Sequence, residues 1–267
     1  MKRLMSKKLA LYDALIVRIF KDHHKKGIDA FEFDRTEIET VAAGLKLRLP
    51  KNLGDLIYSF RYRKTLPEEI AATQAGKKEW IILPAGRAKY RFKLAKLTKI
   101  VPRQDLIATK IPDATPQIIA AYALTDEQAL LARVRYNRLI DIFLGIATYS
   151  LQNHLRTTVK NMGQIEIDEI YVGVNKTGQQ FVIPVQAKGG TDKLAVIQTT
   201  QDLAYCAEKF PSLAARAISA QFMEENIIAL FELTLEDDEV RIVEERHYCL
   251  VPAKSITPDD LKKYANR

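Results

Sequence analysis

Between Gln164 and Val174 the side chains alternate apolar with polar. Asn175-Lys176-Thr177-Gly178 then turns the chain back, and Phe181 to Val185 is an apolar run leading into Gln186 and Lys188. A period of two builds a strand with one buried face, whereas an apolar run of this length reads as a central strand. A hairpin containing a central strand needs cover on both faces, and the flanking helix and strand signals point to an α/β (α+β) arrangement. The flanking sequence supplies candidates. Thr125-Asp126-Glu127-Gln128 caps a long helix to about Gly145, with Leu130, Val134, Leu139, Ile142 and Phe143 as its inward stripe. His154 to Val159 reads as a strand and Asn161-Met162-Gly163 as a turn. Asp192 to Lys209 reads as a helix, and Ala217–Phe222, Ile227–Leu235 and Val240–Leu250 as strands, the last two joined at Glu236-Asp237-Asp238.

The front of the chain is different in character. The whole chain carries a net charge of +8, but residues 1–110 hold 25 Lys and Arg against 12 Asp and Glu, a net of +13, while residues 111–267 are net −5. A segment this basic implies a polyanion partner, because phosphate neutralisation releases counterions. Leu9 to Lys25 has helical periodicity and stops at Gly27, Phe31-Glu32-Phe33 alternates like a strand, and Asp34 with Glu37 opens a second helix ending near Gly44. Pro50-Lys51-Asn52 opens a third, with Leu53, Leu56, Ile57 and Phe60 inward and Asp55, Ser59, Tyr62 and Arg63 outward. Two strand-like runs, Glu79–Leu83 and Lys89–Leu94, flank Pro84-Ala85-Gly86-Arg87. Three helices followed by a basic hairpin resemble the winged helix-turn-helix in order of elements. That resemblance implies double-stranded DNA as partner, with Arg61, Arg63, Arg87, Lys89 and Arg91 as contacts. A small helical scaffold or dimerisation domain is the plainer alternative.

The organisation expected is residues 1–100 as a winged-helix-like DNA-binding domain, 101–124 as a linker punctuated by Pro102, Pro112 and Pro116, and 125–267 as a second domain. No stretch approaches the roughly 20 apolar residues of a membrane span. The basic N-terminus continues into an amphipathic helix, unlike a signal peptide. Cys206 and Cys249 have no zinc or disulfide spacing, which fits a reducing cytoplasm. His23-His24 reads as a solvated helix end, and His154 and His247 read as structural, since neither has ligand partners at usable spacing. Gly189-Gly190 offers amides to phosphate but lacks the Walker pattern.

The chemistry concentrates in Gly163-Gln-Ile-Glu166-Ile-Asp168, Pro184-Val-Gln186-Ala187-Lys188, and a helix with Gln201 and Tyr205. Glu166 and Asp168 share a strand face, as do Gln186 and Lys188, and the hairpin brings the pairs together. An acid beside a lysine suits phosphodiester hydrolysis. The acid holds Mg²⁺, and the lysine orients water or offsets developing charge. In this order of elements, about residues 125–225 resemble the PD-(D/E)xK nuclease superfamily, which includes type II restriction endonucleases. The resemblance implies a restriction-endonuclease-like core in which Asp168 ligates the metal, Gln186 stands at the (D/E) position, Lys188 is the lysine, and the Ala187 carbonyl completes the metal shell. Gln201 and Tyr205 match the Gln-x-x-x-Tyr helix of RecB-like members and share one helix face; Tyr205 as plain core packing is the alternative.

Gln186 departs from the pattern by replacing a carboxylate. Glu166 is the candidate to compensate, and Asp141 the second. What the resemblance implies is a Mg²⁺-dependent, site-specific restriction enzyme, with Mn²⁺ able to substitute. It implies a homodimer that cuts both strands and a cognate DNA methyltransferase as genetic partner. A structure-specific repair or recombination nuclease and a catalytically inactive DNA-binding protein are the rivals.

Overall fold

A computed structural model describes the chain except residues 1, 50–52, 77, 97–98, 123–126, 161, 190–191, 224–225, 238 and 266–267; for residues 2–9 and Arg63 only the backbone is described. The expected helix starts at Pro50–Asn52 and Thr125–Asp126, together with Asn161, Gly190 and Asp238, lie outside the described residues. Two compact units emerge: Met1–Thr98 with Thr158–Gly163, and Lys99–Thr157 with Gln164–Arg267. Among the described residues no helix is long and apolar enough to cross a membrane.

In the first unit, α1 (Lys2–His23) places Tyr12, Leu15, Ile16, Ile19 and Phe20 on one buried stripe, the spacing of a helix packed on one side. The chain leaves it through Gly27 at φ 91° and continues as β1 (Ala30–Asp34). Asp34 and Glu37 then close a capping box on α2 (Arg35–Gly44). The third helix is shorter than its apolar pattern implies. It runs as α3 (Gly54–Tyr58) and widens into a π-helical turn over Ser59–Arg63, where the Lys64 amide donates to the Ser59 carbonyl. A four-residue α4 (Glu68–Ala71) follows, then the hairpin of β2 (Glu79–Gly86) and β3 (Lys89–Ala95). These strands form a sheet in the order β1-β3-β2, wholly antiparallel. Trp80, Ile82 and Phe92 from it meet Phe20 and Phe33 in one aromatic-rich core.

The second unit is mixed α and β, built on an eight-stranded mixed sheet. Its elements are β4 (Lys99–Ile100), β5 (Thr109–Pro112), α5 (Gln117–Tyr122), α6 (Glu127–Tyr136), α7 (Leu139–Leu144), β6 (Ala147–Val159), β7 (Gly163–Val174), β8 (Gln180–Lys188), β9 (Leu194–Ala195), α8 (Val196–Lys209), β10 (Ala214–Ala215), β11 (Ala217–Phe222), β12 (Ile227–Glu236), β13 (Glu239–Val251) and α9 (Pro258–Ala265). The sheet order is β5-β13-β12-β11-β8-β7-β6, with β10 also paired to β8. The expected central strand is central: Phe181 to Ala187 are all buried, and β8 is antiparallel to β7 and parallel to β11, with α8 in the connection between them. Phe181, Ile183, Val185 and Ala187 join the core under α6 and α7.

Three expectations change. The residues expected as a linker, 101–124, contain β5, which pairs in parallel with β13 from Tyr248↔Thr109 to Val251↔Pro112, so this stretch extends the sheet. The single long helix is broken at Asn137-Arg138. Arg138 is left-handed at φ 50°, and the Asn137 amide bonds Ala114, Thr115 and Asp113. Ile142 is therefore 47% exposed instead of inward. Finally, β6 begins at Ala147, seven residues before the expected His154 start. It is an edge strand whose first half is mostly exposed and so carries no apolar alternation.

Candidate active site

The antiparallel ladder of β7 and β8 runs from Val174↔Gln180 to Glu169↔Val185. Beyond that pair side chains take over among the described residues. The Ala187 amide donates to Asp168 Oδ2 at 2.8 Å, and Gln186 Nε2 donates to the Glu166 carbonyl at 2.9 Å. On its other side β8 stays paired with β11 as far as Gln221↔Lys188. The two strands thus fork while β8 remains anchored, and Asp168 and Lys188 occupy the mouth of the fork.

Asp168 is only 9% exposed. Burial pushes its carboxyl above the ordinary aspartate range. The Lys188 charge and the Ala187 amide oppose that rise, and the Glu127 and Glu166 carboxylates add to it. Asp168 Oδ1 accepts no hydrogen bond from the described residues. Lys188 Nζ lies 3.1 Å from Glu127 Oε1 in the first turn of α6, with the lysine side chain 12% exposed. One amine and two carboxylates therefore share one another's fields at a partly open strand end. Sequence reasoning used Glu127 only as part of a helix cap; its signal was an acid opening the helix that packs against β8.

Gln186 points elsewhere. Besides the Glu166 carbonyl, its Nε2 lies 3.2 Å from Asp202 Oδ1, and its Oε1 accepts from Gln198 Nε2 at 3.2 Å. Gln198 and Asp202 are four apart on α8 and so share a face. Asp202 is fully enclosed. Burial drives its carboxyl well above the ordinary range, with the bond from Gln186 opposing. This network holds β8 to α8 beneath the fork, and neither Gln198 nor Asp202 was singled out from sequence.

The remaining candidates disperse. Glu166 turns outward to Arg156 at 3.2 Å and His154 at 3.5 Å. Asp141 accepts from the Thr148 amide at 2.7 Å and from its hydroxyl, and it pairs with Arg138, so it fastens α7 to the start of β6. Glu169, next to Asp168, turns to the opposite side and pairs with Arg135 at 2.8 Å. Gln201 and Tyr205 are both buried on α8, Tyr205 edge-on to Phe210. In the first unit Arg87 is exposed at the hairpin tip. Lys89 lies 3.9 Å from Asp34, Arg91 pairs with Glu32, and Arg61 is largely enclosed. The Arg63 side chain lies outside the described residues. His23 and His24, expected in solvent, stack on Phe31 and Phe20. His247 is 3% exposed and bonds Glu245.

Among the described residues no group of three or more His, Cys, Asp or Glu is arranged to hold a metal ion. What the fork offers is a smaller donor set, Asp168 with Glu127 nearby. That suits a hard cation which keeps most of its waters and draws further oxygens from a phosphate, as Mg²⁺ does. Comparison of the chain with known protein families, with curated proteins and with solved structures gave no match.

Proposed function

We propose that the chain is a Mg²⁺-dependent DNA endonuclease of PD-(D/E)xK type, with Mn²⁺ able to substitute, that cuts duplex DNA at specific sites. The observation that carries the reading is the fork: Asp168 sits on the Ala187 amide within the fields of Lys188 and Glu127. Asp168 and Glu127 would hold the cation, together with the Ala187 carbonyl. Bound there, Mg²⁺ would polarise a phosphate and make its water more acidic. Lys188 exchanges its Glu127 contact for the scissile phosphate or the attacking water, where its charge offsets the charge building on the phosphate oxygens. Gln186 takes a positioning part in place of the ligand role expected of it, because its amide is committed to Glu166, Gln198 and Asp202. The first unit, with its basic composition and its order of helices and hairpin, would serve as a winged-helix reader of DNA. Cutting both strands then calls for a homodimer, and a restriction role for a cognate methyltransferase.

The test is digestion of unmethylated and methylated phage DNA with Mg²⁺, by the parent and by Lys188→Ala. Discrete bands from the parent and loss of most cutting in the variant are expected. Equal cutting by both removes Lys188 from the mechanism, and selective cutting of flaps or junctions moves the protein to repair. A second reading, a DNA-binding protein that does not cut, draws on the small donor set of the fork. It requires binding without cleavage in either Mg²⁺ or Mn²⁺.

A further inference from the structure

Beside the fork, the edge strand β6 carries an arginine and a histidine gathered on one carboxylate. Glu166 Oε1 lies 3.2 Å from Arg156 Nη2 and 3.5 Å from His154 Nδ1. All three side chains face solvent, with Arg156 61%, His154 51% and Glu166 44% exposed. Glu166 stands two residues before Asp168 on β7, on the same face and roughly 7 Å along the strand. Its charge is near enough to act on the Asp168 carboxyl.

Stability gives little reason for this group, since an ion pair in solvent contributes little to folding. The backbone works against it. His154 sits inside a strand at φ 51°, a left-handed conformation that a residue with a Cβ adopts at a cost. A kink of this kind in an edge strand re-aims a side chain, often beside an active site. Charge supplies the rest of the argument. A duplex seated at the fork brings its phosphates over a unit whose residues 111–267 are net −5, so local cations must meet the phosphates that flank the reacting one. Lys188 is 12% exposed and held by Glu127. Arg156 instead presents a guanidinium with five N–H donors to solvent, on the face where Asp168 stands.

We propose that Arg156 binds the DNA backbone phosphate next to the scissile one, with His154 as a companion donor and Glu166 orienting both. The proposal rests on the nuclease reading and deepens it by saying how the strand is held in register over the fork. A guanidinium matches the oxygens of a phosphate with paired donors, and the contact is independent of base sequence.

Duplex binding is measured without Mg²⁺ on the full chain, as parent, Arg156→Gln and Arg156→Lys, with DNA carrying the cleavage site mapped with the parent in Mg²⁺. Loss of one phosphate contact should lower the slope of log K against log salt by about 1 in Arg156→Gln. Arg156→Lys keeps the charge and should restore the slope. Duplexes in which the phosphate on one or the other side of the scissile one is replaced by a neutral methylphosphonate then locate the contact. One of the two replacements should weaken binding by the parent and have no further effect on Arg156→Gln. A parental slope in Arg156→Gln, or equal weakening of parent and variant by both replacements, overturns the seat while leaving the nuclease reading intact. Weak binding by both variants together with a lower melting temperature makes Arg156 structural and overturns the seat as well. A parent that neither binds nor cuts duplex DNA overturns the nuclease reading, and the seat with it.

Discussion

Asp202→Asn tests the buried network beneath the fork. The carboxyl is enclosed, among the described residues it accepts a hydrogen bond from Gln186 Nε2 at 3.2 Å, and burial raises its pKa well above the ordinary aspartate range. Asparagine keeps an oxygen for that bond and cannot titrate. Below about pH 4 both folded and unfolded states hold the aspartic proton. Above it the unfolded chain releases the proton while the folded state keeps it. Stability of the parent therefore falls as pH rises towards the folded pKa, by about 1.4 kcal/mol per pH unit. The variant has no such group. Above about pH 4 its stability relative to the parent should climb as pH rises, until the pH passes the folded pKa of Asp202. Urea unfolding of both proteins across that range reads the difference directly, and Asp168, which also titrates, is common to both. A difference that stays flat with pH, or one that shrinks, refutes the buried neutral acid.

Two other perturbations follow from the same geometry. A methyl group on Gly173 would stand 3.0 Å from Ile146 Cδ1, 3.1 Å from the Ala147 carbonyl and 3.2 Å from Ile183 Cδ1. Gly173→Ala should therefore lower stability by about 1–3 kcal/mol, and an unchanged chemical denaturation midpoint would count against that tight approach. In the fork, burial raises the Asp168 pKa, Lys188 lowers it and Glu127 raises it. In the Mg²⁺-free protein the Asp168 carboxyl should thus titrate above the ordinary aspartate range, moving up in Lys188→Gln and down in Glu127→Gln, as followed by NMR of that side chain. Shifts of the same sign in both variants would contradict the arrangement.

The parts of this structure visible in the sequence are those where burial writes a pattern. Phe181 to Val185 lies in the middle of the sheet, and the run shows it. The alternation of β7 likewise brings Asp168 and Lys188 to one end of a hairpin. Where burial is absent or comes from elsewhere, the pattern fails. The start of β6 is an exposed edge, so Tyr149, Ser150 and Leu151 look like a loop. β5 is fixed by pairing with β13, a partner more than a hundred residues away. The break before α7 is made by Asn137 capturing Ala114 and Thr115, with neither glycine nor proline to mark it. In the site, Gln186 looked like a weakened metal ligand because its position was legible and its partners were not. Gln198 and Asp202 come to it from a helix whose Gln201 and Tyr205 drew attention instead.

The most direct measurement is the single-turnover rate of duplex cleavage in Mg²⁺ by the parent and by Asp168→Asn, with both proteins shown to be folded and to bind the same DNA. If Asp168 holds the reacting centre, the rate should drop by about two orders of magnitude or more while DNA affinity is kept. A variant that cleaves as fast as the parent would mean that the forked strands are not where the bond is broken.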